Sequence, residues 1–234
     1  MQLLFARLAF AAALAWLVSG CGNVTQLHIE DTSSPLMSAR AVHRLGGGPG
    51  GSGIEIEVSS VRGKGPQQLT LNETAYLGTQ SISGPAALQH TARVQQAQLL
   101  YNHLLFPGRT VELEWFVGAS WTKTNWESLS ANPADARLSH HGTWYGPAGG
   151  ALGRLRLSSM LALEARYSGS ADVSSGPDSG SRHNTELVLA FKPVPVLVLR
   201  AGWAESRSWL RPGIASTELS VRVRGPFANL GFEF

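Results

Sequence analysis

Along most of this chain apolar and polar residues alternate one by one. In Val111-Glu112-Leu113-Glu114-Trp115-Phe116-Val117-Gly118-Ala119-Ser120-Trp121 every odd position is apolar, and the even positions are charged, small or polar except Phe116. Residues 161–167 and 217–224 repeat the pattern, and it recurs less regularly over 54–60, 92–105, 144–157, 185–192 and 196–204. A period of two puts successive side chains on opposite faces of an extended strand, whereas an amphipathic helix needs 3.6. The chain therefore reads as all-β, with each strand carrying one apolar and one polar face.

The connections set the topology. Phe106-Pro107-Gly108-Arg109, Ser158-Ser159 and Pro193-Val194-Pro195 predict tight turns, while 122–141, 168–183 and 205–216 are long, polar and rich in Ser, Asn, Asp, Gly and Pro. Tight turns at one end and long loops at the other mark an antiparallel up-and-down transmembrane β-barrel. Counting back from Phe234 predicts eight strands, with the first long loop inside 61–91. Residues 66–77 alternate weakly and leave room for an extra hairpin element. Nine strands would break the up-and-down parity, and ten would need a turn at Gly225-Pro226 in place of a bulge in a long last strand. A soluble sandwich or lipocalin-like barrel shares the period. Against it stand aromatics at the ends of apolar faces (Trp121, Tyr167, Trp203, Phe232, Phe234), as interfacial girdles require. The turn-flanking pairs Phe191/Val196 and Leu157/Leu161 also leave little polar insulation.

The two ends add an address. Arg7 precedes an apolar run over 8–18, followed by Val18-Ser19-Gly20-Cys21. That run is about half of the roughly 20 residues a membrane-crossing helix needs, so it reads as a signal peptide. Cys21 is the only cysteine, which excludes an intrachain disulfide. The segment resembles a bacterial lipoprotein signal with its lipobox, with Val in place of the commoner Leu at the first position. The resemblance implies that Cys21 is lipidated as the first mature residue, and that Gly22 after it directs sorting to the outer membrane; ordinary cleavage near Gly20 is the alternative. Several acyl chains on one residue give stable anchoring where one is marginal. At the other end, Leu230-Gly231-Phe232-Glu233-Phe234 resembles the closing strand of an outer-membrane barrel, with Phe232 and Phe234 as the signal read by the barrel-assembly machinery. As a whole the chain resembles the small OmpA-type outer-membrane β-barrels of Gram-negative bacteria, a class of structural anchors, adhesins and a few lipid enzymes. The implied location is the cell outer membrane, lipid-anchored, with outer-membrane lipid as a partner. The expected organisation is a signal peptide over 1–20, a lipidated Cys21 with a Gly-rich tether over 21–53, and a barrel over 54–234. The glycine tract at 46–53 behaves as a flexible linker.

Composition narrows the function. Charged residues make up 15% and the net charge is +3, with the Arg residues spread singly, so nothing supports nucleic-acid binding. On the polar face lie Glu112, Glu114, Glu164, Glu186, Glu218 and Glu233, against Arg154, Arg156, Arg166, Lys192, Arg200, Arg222 and Arg224. Eight strands leave an interior that side chains just fill, and an unpaired buried charge there costs several kcal/mol. The expectation is an ion-paired, non-conducting interior; a narrow ion pathway through the same residues is the alternative. Candidate catalytic groups are Ser139, His140 and His141, with Asp135 near them and His183 on another loop. No G-x-S-x-G or H-E-x-x-H motif accompanies them, and adjacent histidines on a strand face opposite ways. Gly146-Pro147-Ala148-Gly149-Gly150 reads as a bulge or close-packing site. The expected protein is non-enzymatic, without metal or cofactor, and works through its surface loops on a ligand the sequence does not identify. A lipid-modifying barrel enzyme and a lipid-anchored periplasmic lipocalin-like carrier are the alternatives.

Overall fold

The computed structural model describes residues 25–45, 51–77, 80–108, 110–130, 137–173, 179–211 and 217–234. Its strands are β1 (Thr25–Asp31), β2 (Leu36–Leu45), β3 (Ser52–Leu69), β4 (Thr74–Leu77), β5 (Gln80–Ser83), β6 (Ala86–Pro107), β7 (Val111–Ser130), β8 (Arg137–Arg156), β9 (Leu161–Val173), β10 (Ser179–Val194), β11 (Leu197–Arg211) and β12 (Thr217–Glu233). Among the described residues nine strands close a barrel in the order β2-β3-β6-β7-β8-β9-β10-β11-β12, and β12 returns to β2. Neighbours are antiparallel except at the closure, where Phe227–Glu233 run parallel to Leu36–Val42. An odd number of strands laid up and down leaves the first and last running the same way, so one parallel pair is unavoidable. β1 continues the wall beyond β2, parallel to the first half of β12. β4 and β5 form a separate hairpin, within the stretch that alternates weakly in sequence.

Three expectations are corrected. The barrel has nine strands, not eight, and Gly225-Pro226 is neither a turn nor a bulge: it stays in register with Ala204 and Trp203 of β11. The ninth strand, β2, lies in the presumed tether. Ser38, Arg40, Val42 and Arg44 turn inward there, but the outward row contains Ala39, Ala41 and His43, too weakly apolar to announce a strand. The wall thus begins at Thr25 and not at residue 54, and three residues separate Cys21 from it. Cys21 and the glycines at 46–50 lie outside the described residues. Finally, most of the presumed loops is strand. β7 runs on to Ser130, β8 starts at Arg137, β9 ends at Val173 and β10 starts at Ser179, so the wall rises well beyond the apolar segments. Polar outward residues over these stretches gave them the composition of loops.

The N-terminal strand breaks between Asp31 and Leu36, opposite the Gly225-Pro226 step of β12. Proline has no N–H to offer a ladder, which favours an interruption there. Asp31 stitches the break. Its Oδ1 accepts from the Ser33 and Ser34 backbone N–H groups at 2.9 and 3.0 Å, and its Oδ2 from the Ser34 hydroxyl at 2.7 Å and the Lys64 N–H at 3.2 Å. Burial pushes this carboxyl up, but the donors outweigh it and hold it at about 2 against an ordinary 3.8. A depressed pKa contributes stability that is complete above the unfolded value and disappears as pH falls through the folded one. Asp31→Ala should therefore cost about 1–3 kcal/mol at neutral pH. It should also flatten the loss of stability between about pH 4 and pH 2, measured by urea unfolding across that range.

The wall changes character part-way up. On the half nearest the tight turns, outward positions are apolar and exposed: Ile54, Ile56 and Val58 on β3, Leu99 and Tyr101 on β6, Val111 to Trp121 on β7, Leu187, Leu189 and Phe191 on β10, Leu230 and Phe232 on β12. Beyond a line through Trp121, Tyr145, Tyr167 and Trp203 the outward positions become Arg62, Lys64, Arg93, Lys123, Asn125, Thr185, Glu205, Arg222 and Arg224. The cross-strand register holds this line together, pairing Ala97 with Trp121, Trp121 with Tyr145, and Leu187 with Trp203. The interior changes at the same height. Charged side chains crowd it on the turn side, around a small apolar cluster of Leu100, Phe116, Ala148 and Leu152. Beyond it lies a buried apolar core including Leu88, Trp126, Leu138, Trp144 and Val221, set among hydroxyl side chains, His90 and Arg182. Ala75 and Ile82 of the β4–β5 hairpin cap that core. Gly142, in the inward row, leaves room for the Trp144 ring, which a Cβ would meet at 2.3 Å.

Candidate functional site

The interior of the turn-side half is one ion-paired network spanning the lumen. Arg166 on β9 donates from Nη2 to Glu55 and Glu57 on β3 at 2.7 and 2.9 Å. Those strands stand on opposite walls, so the guanidinium crosses the lumen. Its Cζ also lies 4.1 Å from the centre of the Phe116 ring, a cation–π contact. Arg40 on β2 meets Glu55 at 3.3 Å, Glu57 at 3.7 Å and Glu186 on β10 at 3.4 Å. One layer nearer the turns, Glu164 accepts from Arg154 and Arg200, both at 2.7 Å, and Arg154 also reaches Glu112 at 3.1 Å. Glu233 accepts from Lys192 at 2.9 Å and Arg200 at 3.3 Å. Arg44 donates to Glu114 at 2.9 Å, and Arg156 closes the mouth against Glu112. Arg200 has room because Gly231 faces it: a Cβ there would fall 2.3 Å from Nη1.

Seven bases (Arg40, Arg44, Arg154, Arg156, Arg166, Lys192, Arg200) thus meet seven acids (Glu55, Glu57, Glu112, Glu114, Glu164, Glu186, Glu233). Low dielectric punishes an unpaired charge, and balanced pairing is what lets so many share one lumen. Sequence reasoning missed Arg40, Arg44, Glu55 and Glu57. Glu55 and Glu57 do alternate with Ile54, Ile56 and Val58, so that signal was present in the sequence. Arg40 and Arg44 had no signal beyond the weak period of β2.

Three presumed interior residues face outward. Glu218, Arg222 and Arg224 sit above the aromatic line, where the inward row of β12 is Leu219, Val221 and Val223. Arg222 pairs with Glu205 at 2.9 Å on the outer wall, Arg224 with Glu30, and Glu218 accepts from Gln26 at 3.4 Å. On β12 the polar face is the interior only below the line; above it the same alternation means the reverse.

At the turn end the lumen opens into a cavity of about 710 Å³ lined by Arg154, Arg156, Lys192, Glu164 and Glu233. Phe232 projects outward beside it. The last residue completes the closure: the Phe234 N–H donates to the Val42 carbonyl at 2.9 Å, and the Arg44 N–H to the Phe234 carbonyl at 2.8 Å.

The candidate catalytic residues are not brought together. Ser139 and His141 point outward and His140 inward, with its ring against Trp144 at 6.0 Å. His141 lies 3.1 Å from the Asn125 side-chain oxygen. His183 stands two strands away on β10, hydrogen-bonded to the Tyr167 hydroxyl at 2.8 Å and edge-on to Trp209. Asp135 lies outside the described residues. No cluster of three metal-ligating side chains occurs among the described residues. The glycine-rich run of β8 keeps register with β7 without a bulge, and Gly150 serves close packing: its Cβ would meet the Phe116 ring at 2.6 Å. No protein-family model, curated protein or solved structure matches this chain.

Proposed function

We propose that this chain is a membrane-spanning envelope barrel of the outer-membrane type, closed to ions, whose lower half sits in lipid and whose upper half stands above it as a rigid polar stalk. One observation carries the reading: an exposed apolar belt surrounds a charged lumen and ends at an aromatic line, beyond which the outward positions turn polar. A water-soluble barrel has no use for an exposed apolar belt around a charged lumen, whereas a bilayer requires an apolar band about 25 Å tall bounded by aromatic residues. The cross-lumen pairs of Arg166 and Arg40 support a sealed pore, and the packed aromatic core above them is a second seal. Work done on partners then falls to the stalk and its connections, without a catalytic centre.

The small OmpA-type class remains the nearest description in kind, with a ninth strand as the departure. Phe232 and Phe234 fit recognition by the barrel-assembly machinery, since the last residue still belongs to the closing ladder. Lipidation of Cys21 is retained as part of the proposal, on the lipobox resemblance alone.

The test is refolding of the full chain into phosphatidylcholine vesicles and planar bilayers. The expected result is an inserted, protease-resistant barrel with no steady ion conductance. A soluble folded protein recovered without detergent would overturn the membrane reading, and an open-pore current would overturn the sealed lumen.

A further inference from the structure

Most cations of the described wall form an ion pair, but one group does not, although the Asp31 carboxylate lies close enough to accept the Lys64 backbone N–H at 3.2 Å. Arg62 and Lys64 on β3, Arg93 on β6 and Lys123 on β7 all point outward and are exposed. Among the described residues none of these four side chains makes an ion pair or hydrogen bond. Arg62 and Arg93 are direct cross-strand partners. Like charges placed directly opposite destabilise a sheet, so an arrangement of this kind needs an anion to offset it. Lys123 opposes Gln95, diagonal to Arg93, and Lys64 stands one outward position beyond Arg62. Arg62, Lys64 and Arg93 line a cleft of about 410 Å³ whose other lining includes Ser34, Thr91 and Asn125 as hydrogen-bonding groups. Glu127 also borders the cleft, but its carboxylate accepts from Arg137 at 2.7 Å.

Height decides the ligand. Trp121 marks the aromatic line on β7, and Lys123 is the next outward residue. The Arg62–Arg93 pair lies one step further, and Lys64 one beyond that, at about 7 Å of strand per step. With strands tilted by about 40° the Arg62–Arg93 pair stands roughly 10 Å above that line, within a side chain's reach of a headgroup layer about 5–7 Å deep. We propose that the cleft binds the phosphomonoester headgroup of a lipid in the leaflet that meets the girdle, its oxygens taken by Arg62 and Arg93, with Lys64 and Lys123 on either side. Guanidinium groups suit this task because they present paired donors to phosphate oxygens. The inference rests on the membrane reading above, and commits that reading to one lipid chemistry.

The full chain is refolded into vesicles of phosphatidylcholine alone, or with a minor fraction of phosphatidic acid or phosphatidylglycerol, and its thermal midpoint is read together with protease protection. Phosphatidic acid should raise the midpoint, and phosphatidylglycerol, with a diester phosphate, should raise it less. Arg62→Gln with Arg93→Gln should abolish the increment while leaving the midpoint in pure phosphatidylcholine equal or higher, because the repulsion is relieved. Lys64→Gln should reduce the increment without touching that pair. Arg222→Gln, on a paired arginine elsewhere on the same outer face, should leave it intact. An increment that survives the double substitution, or that phosphatidylglycerol reproduces in full, overturns the phosphomonoester site. An increment reproduced by inorganic phosphate added to phosphatidylcholine vesicles overturns the lipid as its source. Insertion with no increment sinks this inference alone, whereas failure to insert sinks the membrane reading and the inference with it.

Discussion

Arg166→Ala should destabilise the folded barrel by about 3–5 kcal/mol, among the largest effects of any single substitution in the chain. Arg166 and Arg40 together hold Glu55, Glu57 and Glu186. Removing Arg166 leaves three carboxylates facing chiefly one guanidinium, in a lumen whose walls are joined by the very bonds being cut. The substitution also forfeits the contact with Phe116, of order 0.5–2 kcal/mol. Much of the cost is the penalty of stranded carboxylates, so it should be largely recovered when the carboxylates lose their charge. The combination of Arg166→Met, Glu55→Gln and Glu57→Gln is expected to restore most of the stability, since replacing a whole buried ion pair is often neutral. Urea unfolding in vesicles reads both steps. A loss below about 1 kcal/mol for Arg166→Ala would mean that water screens these carboxylates, as in an open pore.

The parts of this fold legible in sequence are those where alternation is strict. Val111–Trp121 announces a strand with an apolar face, and Glu112 and Glu114 on its other face do enter the ion-paired lumen. Glu164, Glu186, Arg154, Arg166, Lys192 and Arg200 were legible in the same way. What failed was the assumption that one face keeps one environment along a whole strand. On β12 the outward row runs Glu218, Ser220, Arg222, Arg224 and then Pro226, Ala228, Leu230, Phe232, so it leaves water and becomes apolar half-way down. Residues 122–130 failed for a related reason. Lys123, Asn125 and Glu127 gave them the composition of a loop, while Trp126 was already pointing into an apolar core. β2 was missed because its outward alanines carry little hydrophobic signal, and because its partner in the closure, residues 227–233, lies at the far end of the chain. No local pattern reports a pairing between the two ends. The parity argument against nine strands assumed antiparallel closure, which the wall does not obey.

Val117→Lys should cost about 2–4 kcal/mol, because it carries a charge into the middle of the apolar belt. Val117 is 48% exposed, opposite Tyr101 and two outward positions below Trp121. Leu189→Arg, on the far side of the wall and 45% exposed, should cost a similar amount. Asn125→Lys, two outward positions above Trp121, should fall within about 1 kcal/mol of wild type. The comparison separates the two environments by sign as well as size. On a water-facing sheet an exposed valine or leucine exchanged for a long cation loses little, and solubility improves. In lipid the same exchange strands an ion in hydrocarbon, and only deformation of the bilayer or snorkelling towards the interface relieves it. Urea titration of the three variants in phosphatidylcholine vesicles should therefore show two strongly weakened barrels and one near-normal one. If Val117→Lys and Leu189→Arg were as stable as Asn125→Lys, the belt would face water, and the aromatic line would mark nothing but a row of exposed rings.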